Sequence, residues 1–433
     1  MVSSKLLTSR SQPQKLLVAI ALALFAAGAI ALSSYGWRQS ILFLVGGLLG
    51  ISLYHSRFGF TSAYRKLFVS RDVRGMYAQL VMLAIATVLF APVLATGAVF
   101  GQEVQGAVAP VGIGGAIGAF LFGIGMQLGG GCGCGTLYTV GSGSLSMLFT
   151  LITFCIGAFW ASLTRQLWAG LPAAPAISFS QTWGWVGAVC LQLGLFLLLA
   201  GCLWWWSRRG QGSRGAEETR SRGAIQNPKS KIQNSLDSRT GGFFEGSRAI
   251  ANSSSVKPAP TTPDSLIYGP WSLLMGAVAL AVLNWLTLLL SGQPWRVTWG
   301  FAVWSAQLAS ALGWNPATSP FWSNGAGQQA LSQSIFADVS SVMNFGIILG
   351  AVLASALAGR LVPKAQFSCS ALAATGLGGL IMGYGAFIAF GCNASAFFGG
   401  IASTSLHGWV WIASALLGTA IGIRLRPLFR LSN

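Results

Sequence analysis

GIGMQLGGGCGCGTLYTVGSGS, residues Gly123 to Ser144, is a glycine-rich break with two cysteines set between two long apolar runs. Apolar helices on both sides call for a bilayer, and backbone that is not helical at membrane depth persists only where it lines a cavity or is buried in protein. The break therefore reads as a pore lining. The chain writes it twice: Gly383, Gly385, Gly391 and Cys392 stand 260 residues beyond Gly123, Gly125, Gly131 and Cys132, and Gly378 stands at the same offset from Gly118. Five coincidences at one offset are better explained by an internal repeat than by chance.

Composition agrees with a bilayer. With 53% hydrophobic residues, 8% charged residues and a mean hydropathy of +0.65, the 433-residue chain lacks the polar surface of a soluble protein. A net charge of +18 suggests nucleic acid at first sight. The basic residues fall in short runs between apolar stretches, however, and not along one face, which argues against that partner. They read instead as topology, since cytoplasmic loops retain lysine and arginine. Seven cysteines make no disulfide framework, because most lie inside apolar segments.

Taken in order, the chain divides into four parts. Residues 1–40 form an extra N-terminal helix, in which the apolar run Leu16 to Leu32 is expected to be retained although Ala29 and Ala31 resemble a signal-peptide cleavage site. Residues 41–206 form a first transmembrane repeat. Its apolar run Ile41 to Tyr54 leads into a basic stretch with Arg57, Arg65, Lys66, Arg71 and Arg74, placed in the cytoplasm. The chain then rises from Met76 to about Ala98, descends from Val111 to Leu128 into the first break, rises again from Leu145 to Ala161, and descends from Trp183 to an interfacial belt at Trp204 to Trp206. Residues 207–264 carry ten Lys/Arg and five acids with almost no apolar periodicity, and are expected as a disordered cytoplasmic linker.

Residues 265–433 form the second repeat. Leu273 to Leu290 rises, a polar loop runs from Asn315 to about Asp338, and Val339 to Leu357 descends. Gly376 to Phe390 rises to the second cysteine, and His407 to Ile423 descends to Arg424, Arg426 and Arg430. Each segment runs opposite to its partner. The expected fold is an all-α polytopic membrane protein of two inverted-topology repeats, with Gly/Cys-rich broken helices and a substrate site at the midplane. A weaker correspondence pairs Phe58 and Thr61 with Trp295 and Thr298 at an offset of 237.

The breaks carry the chemistry. An isolated cysteine in an apolar helix is a small hydrophobe with a weak S–H donor, which covers Cys155, Cys190, Cys202 and Cys369. Cys132 and Cys392 differ because the glycines around them, Gly131 and Gly391 first, strip the backbone and leave N–H groups facing a cavity, with Asn393 beside the second thiol. Such N–H groups attract anions, and a thiol adds a soft contact that oxygen ligands lack. A sulfur-bearing anion suits both. Cys134 is either a further contact or a resolving thiol for Cys132; its repeat partner is Ala394. Arg296 either draws an anion to the entrance or is an ordinary interfacial arginine. His55 and His407 are expected at the interface. No catalytic group, metal set or cofactor is implied. A competing reading is a membrane thiol oxidoreductase using Cys132 and Cys134, although such enzymes use C-x-x-C and this spacing is C-x-C. A soft-metal transporter is weaker still, since eight scattered Met and two His make no ligand cluster.

At these motifs the chain resembles the YeeE/YedE family of sulfur-compound transporters. FLFGIGMQLGGGCGCGTLYTVGSGSL is similar to that family's first cysteine motif, GGLIMGYGAFIAFGCNASAFFGGIASTSLHGWVW to its second, and RFGFTSAYRKLF to its entrance motif; the resemblance covers Ile41 to Leu425. It implies uptake of thiosulfate or a similar sulfur anion across the cell inner membrane through an hourglass-shaped path, the ion being handed between thiols by S–H hydrogen bonds. A cytoplasmic sulfur-accepting protein is a further partner of such a transporter. Family members commonly carry RFC in the entrance motif where this chain has Gly59. A relay of three thiols is therefore not carried over intact: either two thiols with Cys134 suffice, with a hydroxyl from Thr61 nearby, or the substrate differs from thiosulfate.

Overall fold

Inside a bilayer every backbone N–H and C=O has to be satisfied within the protein, and the apolar runs of this chain meet that condition as helices. The computed structural model describes residues 12–225, 263–363 and 368–432. Among them, ten helical stretches are long and apolar enough to cross a membrane. Strands are confined to two short antiparallel pairs, Ala98–Val99 with Gln102–Glu103 and Pro110–Gly112 with Ala173–Ala176. The protein is a helical, multi-pass membrane protein.

In chain order the main helices are α1 (Lys15–Leu32), α2 (Trp37–Ser56), α3 (Phe60–Ser70), α4 (Arg74–Thr96), α5 (Ile113–Gly129), α6 (Gly133–Gly141), α7 (Leu145–Leu163) and α8 (Phe179–Ile225). There follow α9 (Leu273–Ser291), α10 (Thr298–Ala311), α11 (Val339–Leu357), α12 (Cys369–Ile388) and α13 (Leu406–Leu425). Between α12 and α13 lies a π-helical segment, Asn393–Gly399, continued by the turn Gly400–Ala402. At 11 and 14 residues, α3 and α10 are about 17 and 21 Å long, too short to span the roughly 30 Å hydrocarbon core. Burial sorts centre from rim: 72% of the apolar window of α11 is buried, against 17% for those of α1 and α8.

Small residues bring the central helices into backbone contact, the usual solution where the surrounding lipid is as apolar as the side chains. A methyl group on Gly118 of α5 would lie 2.8 Å from the Gly385 carbonyl of α12, and one on Gly378 of α12 would lie 2.8 Å from the Gly125 carbonyl of α5. The same holds between α5 and α13, where Gly418 faces the Phe120 carbonyl, and between α7 and α12, where Gly383 faces that of Phe154. Any larger residue at these four positions would force the helices apart.

The two ends of the bundle differ in charge. One end gathers Arg57 with Arg360, Arg65 with Arg426, and Arg71 over the Trp206 ring. At the other, Arg38 donates to Gln102 at 2.7 Å, and Arg165 and Arg296 line one cavity, with Asp338 close enough to act on Arg296.

Several local expectations change. α12 begins at Cys369, not Gly376, because Ser368 caps it by accepting the Ala371 N–H at 3.1 Å. The expected polar loop from Asn315 to Asp338 is largely folded, with a helix at Gly325–Ser332 and a fully buried Trp322 whose indole donates to Ser162 Oγ at 2.7 Å. Aromatic packing of Phe321 and Trp322 on Trp299 closes it over α10. His55 and His407 are both buried within the protein, His55 against Trp271 and His407 bonded to the Ala389 carbonyl at 3.0 Å. The helical backbone of α8 runs on to Ile225, and residues 226–262 of the expected linker lie outside the described residues.

Candidate functional site

Each cysteine break is built the same way. α5 ends at Gly130, whose φ of +81° turns the chain out of the helix, and Cys132 then serves as N-cap of α6. α12 ends at Ala389, after which Phe390 and Gly391 take φ of +59° and +145° and Cys392 serves as N-cap of the π-helical segment. Glycine suits both turns, since positive φ costs it nothing. An N-cap residue accepts the orphan N–H groups of the first helical turn. At the second break the acceptor is sulfur, Cys392 Sγ taking the Ser395 N–H, whereas the Cys132 side chain makes no such cap bond and lies against Cys134 Sγ.

The two breaks meet in the core. Cys132 Sγ and Cys134 Sγ are 3.4 Å apart, and a methyl group on Gly133, between them in sequence, would lie 3.3 Å from Cys392 Sγ. All three thiols are at most 1% exposed. Around Cys392, Ser395 Oγ accepts the Cys392 N–H at 3.0 Å and lies 3.9 Å from its sulfur. Asn393 Nδ2 donates to Tyr64 Oη at 3.0 Å, while Asn393 Oδ1 has no hydrogen-bond partner among the described residues. Trp411 Nε1 donates to the Gly391 carbonyl at 3.1 Å.

A cavity approaches the cluster from each end. The larger, about 580 Å³, is lined by Arg165, Arg296, Thr298, Trp299 and Phe387, and reaches Gly391 and Ser395. Arg296 donates to Gln293 Oε1. Burial weakens the hold of Arg296 on its proton and the Asp338 carboxylate opposes this, but a guanidinium stays charged under either influence. Burial likewise raises the Asp338 carboxyl above its ordinary range, against hydrogen bonds from Ser341. The smaller cavity, about 310 Å³, opens between Arg65 and Arg426 and ends at Gly129 and Gly130, two residues short of Cys132.

Of the residues singled out from sequence, Cys132, Cys134 and Cys392 come together, with Asn393 beside the last. Gly131 packs in the break against Thr136 and Gly135, and Gly391 lines the larger cavity with Thr298 and Arg296. Thr61 is buried but lines neither cavity; its carbonyl accepts from Gln127 Nε2 at 3.2 Å and its hydroxyl has no partner among the described residues. Sequence inspection passed over Tyr64, Ser395, Arg165 and Trp168. The first two carried a signal, in that Ser395 follows Cys392 at the N3 spacing of a capping box and Tyr64 follows Thr61 by one helical turn.

Comparison with known proteins falls on these same elements. The chain is 26% identical over 384 residues to the thiosulfate transporter TsuA of Spirochaeta thermophila, covering 87% of this chain and 95% of that one. It is 28% identical over 163 residues to the probable transporter YedE of Escherichia coli K12, covering 37% of this chain and 40% of that one. To TsuA of the same E. coli strain it is 32% identical over 114 residues, 26% of this chain and 31% of that one. The family described as sulphur transport matches residues 55–421, a span that holds both cysteine breaks with Arg65, Arg165 and Arg296 but not Arg426. The chain therefore belongs to the sulphur transport family, and is a membrane transporter and not an enzyme.

Proposed function

We propose that the protein takes up thiosulfate, or a closely related sulfur-bearing anion, across the cell inner membrane through a conduit whose narrow centre is Cys132, Cys134 and Cys392. The observation that carries this is the meeting of the two breaks, with a cavity on either side, one reaching Gly391 next to Cys392 and the other Gly130, two residues before Cys132. The names of the relatives, thiosulfate transporters over most of the chain in one case, support the substrate.

Each part has a physical task. A dianion entering a low-dielectric centre loses hydration, which is costly unless polar groups replace the water. Arg165 and Arg296 concentrate anions in the larger cavity. At the centre Cys392 Sγ accepts the Ser395 N–H as an N-cap, which leaves its S–H hydrogen to donate to the passing ion, and the ion draws the S–H groups of Cys132 and Cys134 away from their 3.4 Å contact with each other. Such donors are weak, about 0.5–1.5 kcal/mol net each, which suits a conduit that has to release what it binds.

The halves are read as inverted repeats. α5 runs from the larger cavity (Gly114, Gly115) to the smaller (Gly129, Gly130), whereas α12 runs from the smaller (Ala371, Thr375) to the larger (Phe387, Ile388). The glycine contacts support the same exchange: Gly118 with Gly385, and Gly378 with Gly125, map onto each other at the 260-residue offset. The arginine-rich end is taken as cytoplasmic under the positive-inside rule. No feature of the geometry requires a cytoplasmic sulfur-accepting protein.

Uptake of radiolabelled thiosulfate by vesicles containing the purified protein tests the proposal. Cys132→Ala and Cys392→Ala are each expected to abolish uptake with normal expression, whereas Cys190→Ala and Cys202→Ala, on the exposed face of α8, behave as wild type. Equal loss from all four substitutions would overturn the site assignment.

A further inference from the structure

The smaller cavity contains something the thiol conduit does not account for. Two guanidiniums, Arg65 of α3 and Arg426 just beyond α13, face one space of about 310 Å³ that ends at Gly130. They lie close enough for their like charges to act on each other. Among the described residues no carboxylate is within salt-bridge distance of either, the one ion pair there being Arg74 with Asp72. Two like charges held together without a counter-ion are unfavourable, and the partly buried setting screens them less than open water would.

Arg426 has a structural occupation. Its Nη1 donates to the Gln127 carbonyl in the last turn of α5, and its Nε to the Ser432 carbonyl at 3.2 Å, so it caps a helix C-terminus where a cation is favoured. This explains Arg426 but not Arg65, which has no such bond among the described residues and is half-buried in the first two turns of α3. The larger cavity offers the parallel: it too holds two arginines, and it reaches Gly391 in the second break as the smaller one reaches Gly130 in the first.

We infer that the pocket between Arg65 and Arg426 is a second anion-binding site, for a small doubly charged oxyanion of the sulfate and thiosulfate class, occupied by the ion after it leaves the thiols. This rests on the transport reading for its place in the sequence of events, but not for the binding itself. The phosphate of an acidic lipid shares the chemistry, and the test has to separate the two.

Ser146 lines the pocket, and Ser146→Cys places a reporter thiol there. With exposed Cys190, Cys202 and Cys369 replaced by serine, the protein in phosphatidylcholine nanodiscs is treated with anionic and cationic methanethiosulfonates, and the same protein without Ser146→Cys gives the background. The anionic reagent is expected to react faster by about tenfold, as a focusing positive site raises local anion concentration. Millimolar sulfate should slow the anionic reagent alone. Arg65→Gln should remove most of the preference, and Arg65→Lys should keep it. A rate ratio near one, or one that Arg65→Gln leaves unchanged, would overturn the proposal. Should Arg65→Gln fail to elute as a folded protein, sulfate protection of the otherwise unaltered site decides alone. Protection that appears in phosphatidylcholine but vanishes with phosphatidylglycerol would assign the pocket to lipid and also overturn it. The transport reading is judged separately by vesicle uptake: uptake with a flat rate ratio sinks the inner site only, whereas a sulfate-sensitive ratio without uptake sinks transport and leaves the site standing.

Discussion

The first cysteine break resumes as a regular α-helix and the second as a π-helix, although both start from an N-cap thiol. Around Cys132 the neighbours in sequence are Gly131, Gly133 and Gly135, with Cys134 among them, and the glycines bring no side chains of their own to the break. Around Cys392 they are Asn393, Ala394 and Ser395, whose side chains reach Tyr64 and the Cys392 N–H. The Cys392 carbonyl is shared between the N–H groups of Ala396 at 2.8 Å and Phe397 at 3.4 Å, the wider turn that defines the π form. Such turns recur at functional sites because they re-aim a few side chains without unfolding the helix. One break is thus built largely from glycine and sulfur, and the other from side chains that bond to its frame.

The contrast predicts unequal sensitivity at the two glycines that precede the thiols, and this is the largest effect expected. Gly391 has φ of +145°, and a Cβ there would lie 2.2 Å from Ser395 Oγ and 3.0 Å from Ala396 N. Gly131 has no positive φ, and its Cβ would meet Thr136 N at 3.3 Å. Gly391→Ala combines backbone strain with overpacking, each on the order of 1–3 kcal/mol, and is expected to lower thermal stability sharply or prevent folding. Gly131→Ala should cost about 1 kcal/mol or less, the range for a neighbour that has only to give slightly. Thermal unfolding of the two variants in detergent, followed by gel filtration, measures the difference. Equal stability would mean that the breaks are held alike.

These distinctions mark how far the sequence could be read. Apolar runs gave the helices, and the 260-residue recurrence of Gly and Cys pointed to two breaks belonging together, because glycine close packing and N-cap thiols leave local signatures. Two kinds of fact were out of reach. The folding of Asn315 to Asp338 depends on Trp322 finding Ser162, 160 residues away, and nothing local in a Ser/Asn/Gly-rich stretch signals that. Likewise Arg426 reads as a topology marker and Arg65, with Lys66, either as one or as a gatherer of anions, and only the tertiary fold puts Arg65 and Arg426 on one cavity. The burial of His55 and His407 was out of reach for the same reason: each is at a helix end by sequence, yet covered by a distant element, Trp271 over His55 and the end of α12 beside His407.

A smaller effect tests the extra thiol of the first break. Cys134 has Ala394 as its counterpart and sits 3.4 Å from Cys132 Sγ, fully buried. If it contributes one S–H contact to the ion or holds Cys132 in place, Cys134→Ala should raise the thiosulfate concentration for half-maximal uptake by a few-fold to about tenfold, the range of one weak hydrogen bond. Cys132→Ala should abolish uptake under the same conditions. Were Cys134→Ala as severe as Cys132→Ala, the first break would act through a thiol pair, and its likeness to the second would end at the backbone.

The smallest effect is expected at Gly59, which the 237-residue correspondence pairs with Arg296. The larger cavity has a cation at that position and the other half has no side chain at all. Backbone strain does not stand in the way of a substitution, since Gly59 has φ of −119° and ψ of 113°, extended values open to any residue. Its Cβ would lie 2.6 Å from Ser62 Oγ, the end of a side chain that can rotate away at the cost of its hydrogen bond to the Gly59 carbonyl. Gly59→Ala and Gly59→Cys make that same demand, so their difference isolates the thiol. If the N-terminus of α3 borders the path, Gly59→Cys adds one sulfur contact and should bind thiosulfate a few-fold more tightly than Gly59→Ala, the yield of a single weak donor, with little change for sulfate, which has no terminal sulfur. Competition of each anion against radiolabelled thiosulfate in vesicles gives both affinities. Equal thiosulfate affinity in two folded variants would show that Gly59 stands off the path, and that the two halves differ at their mouths as well as at their thiols.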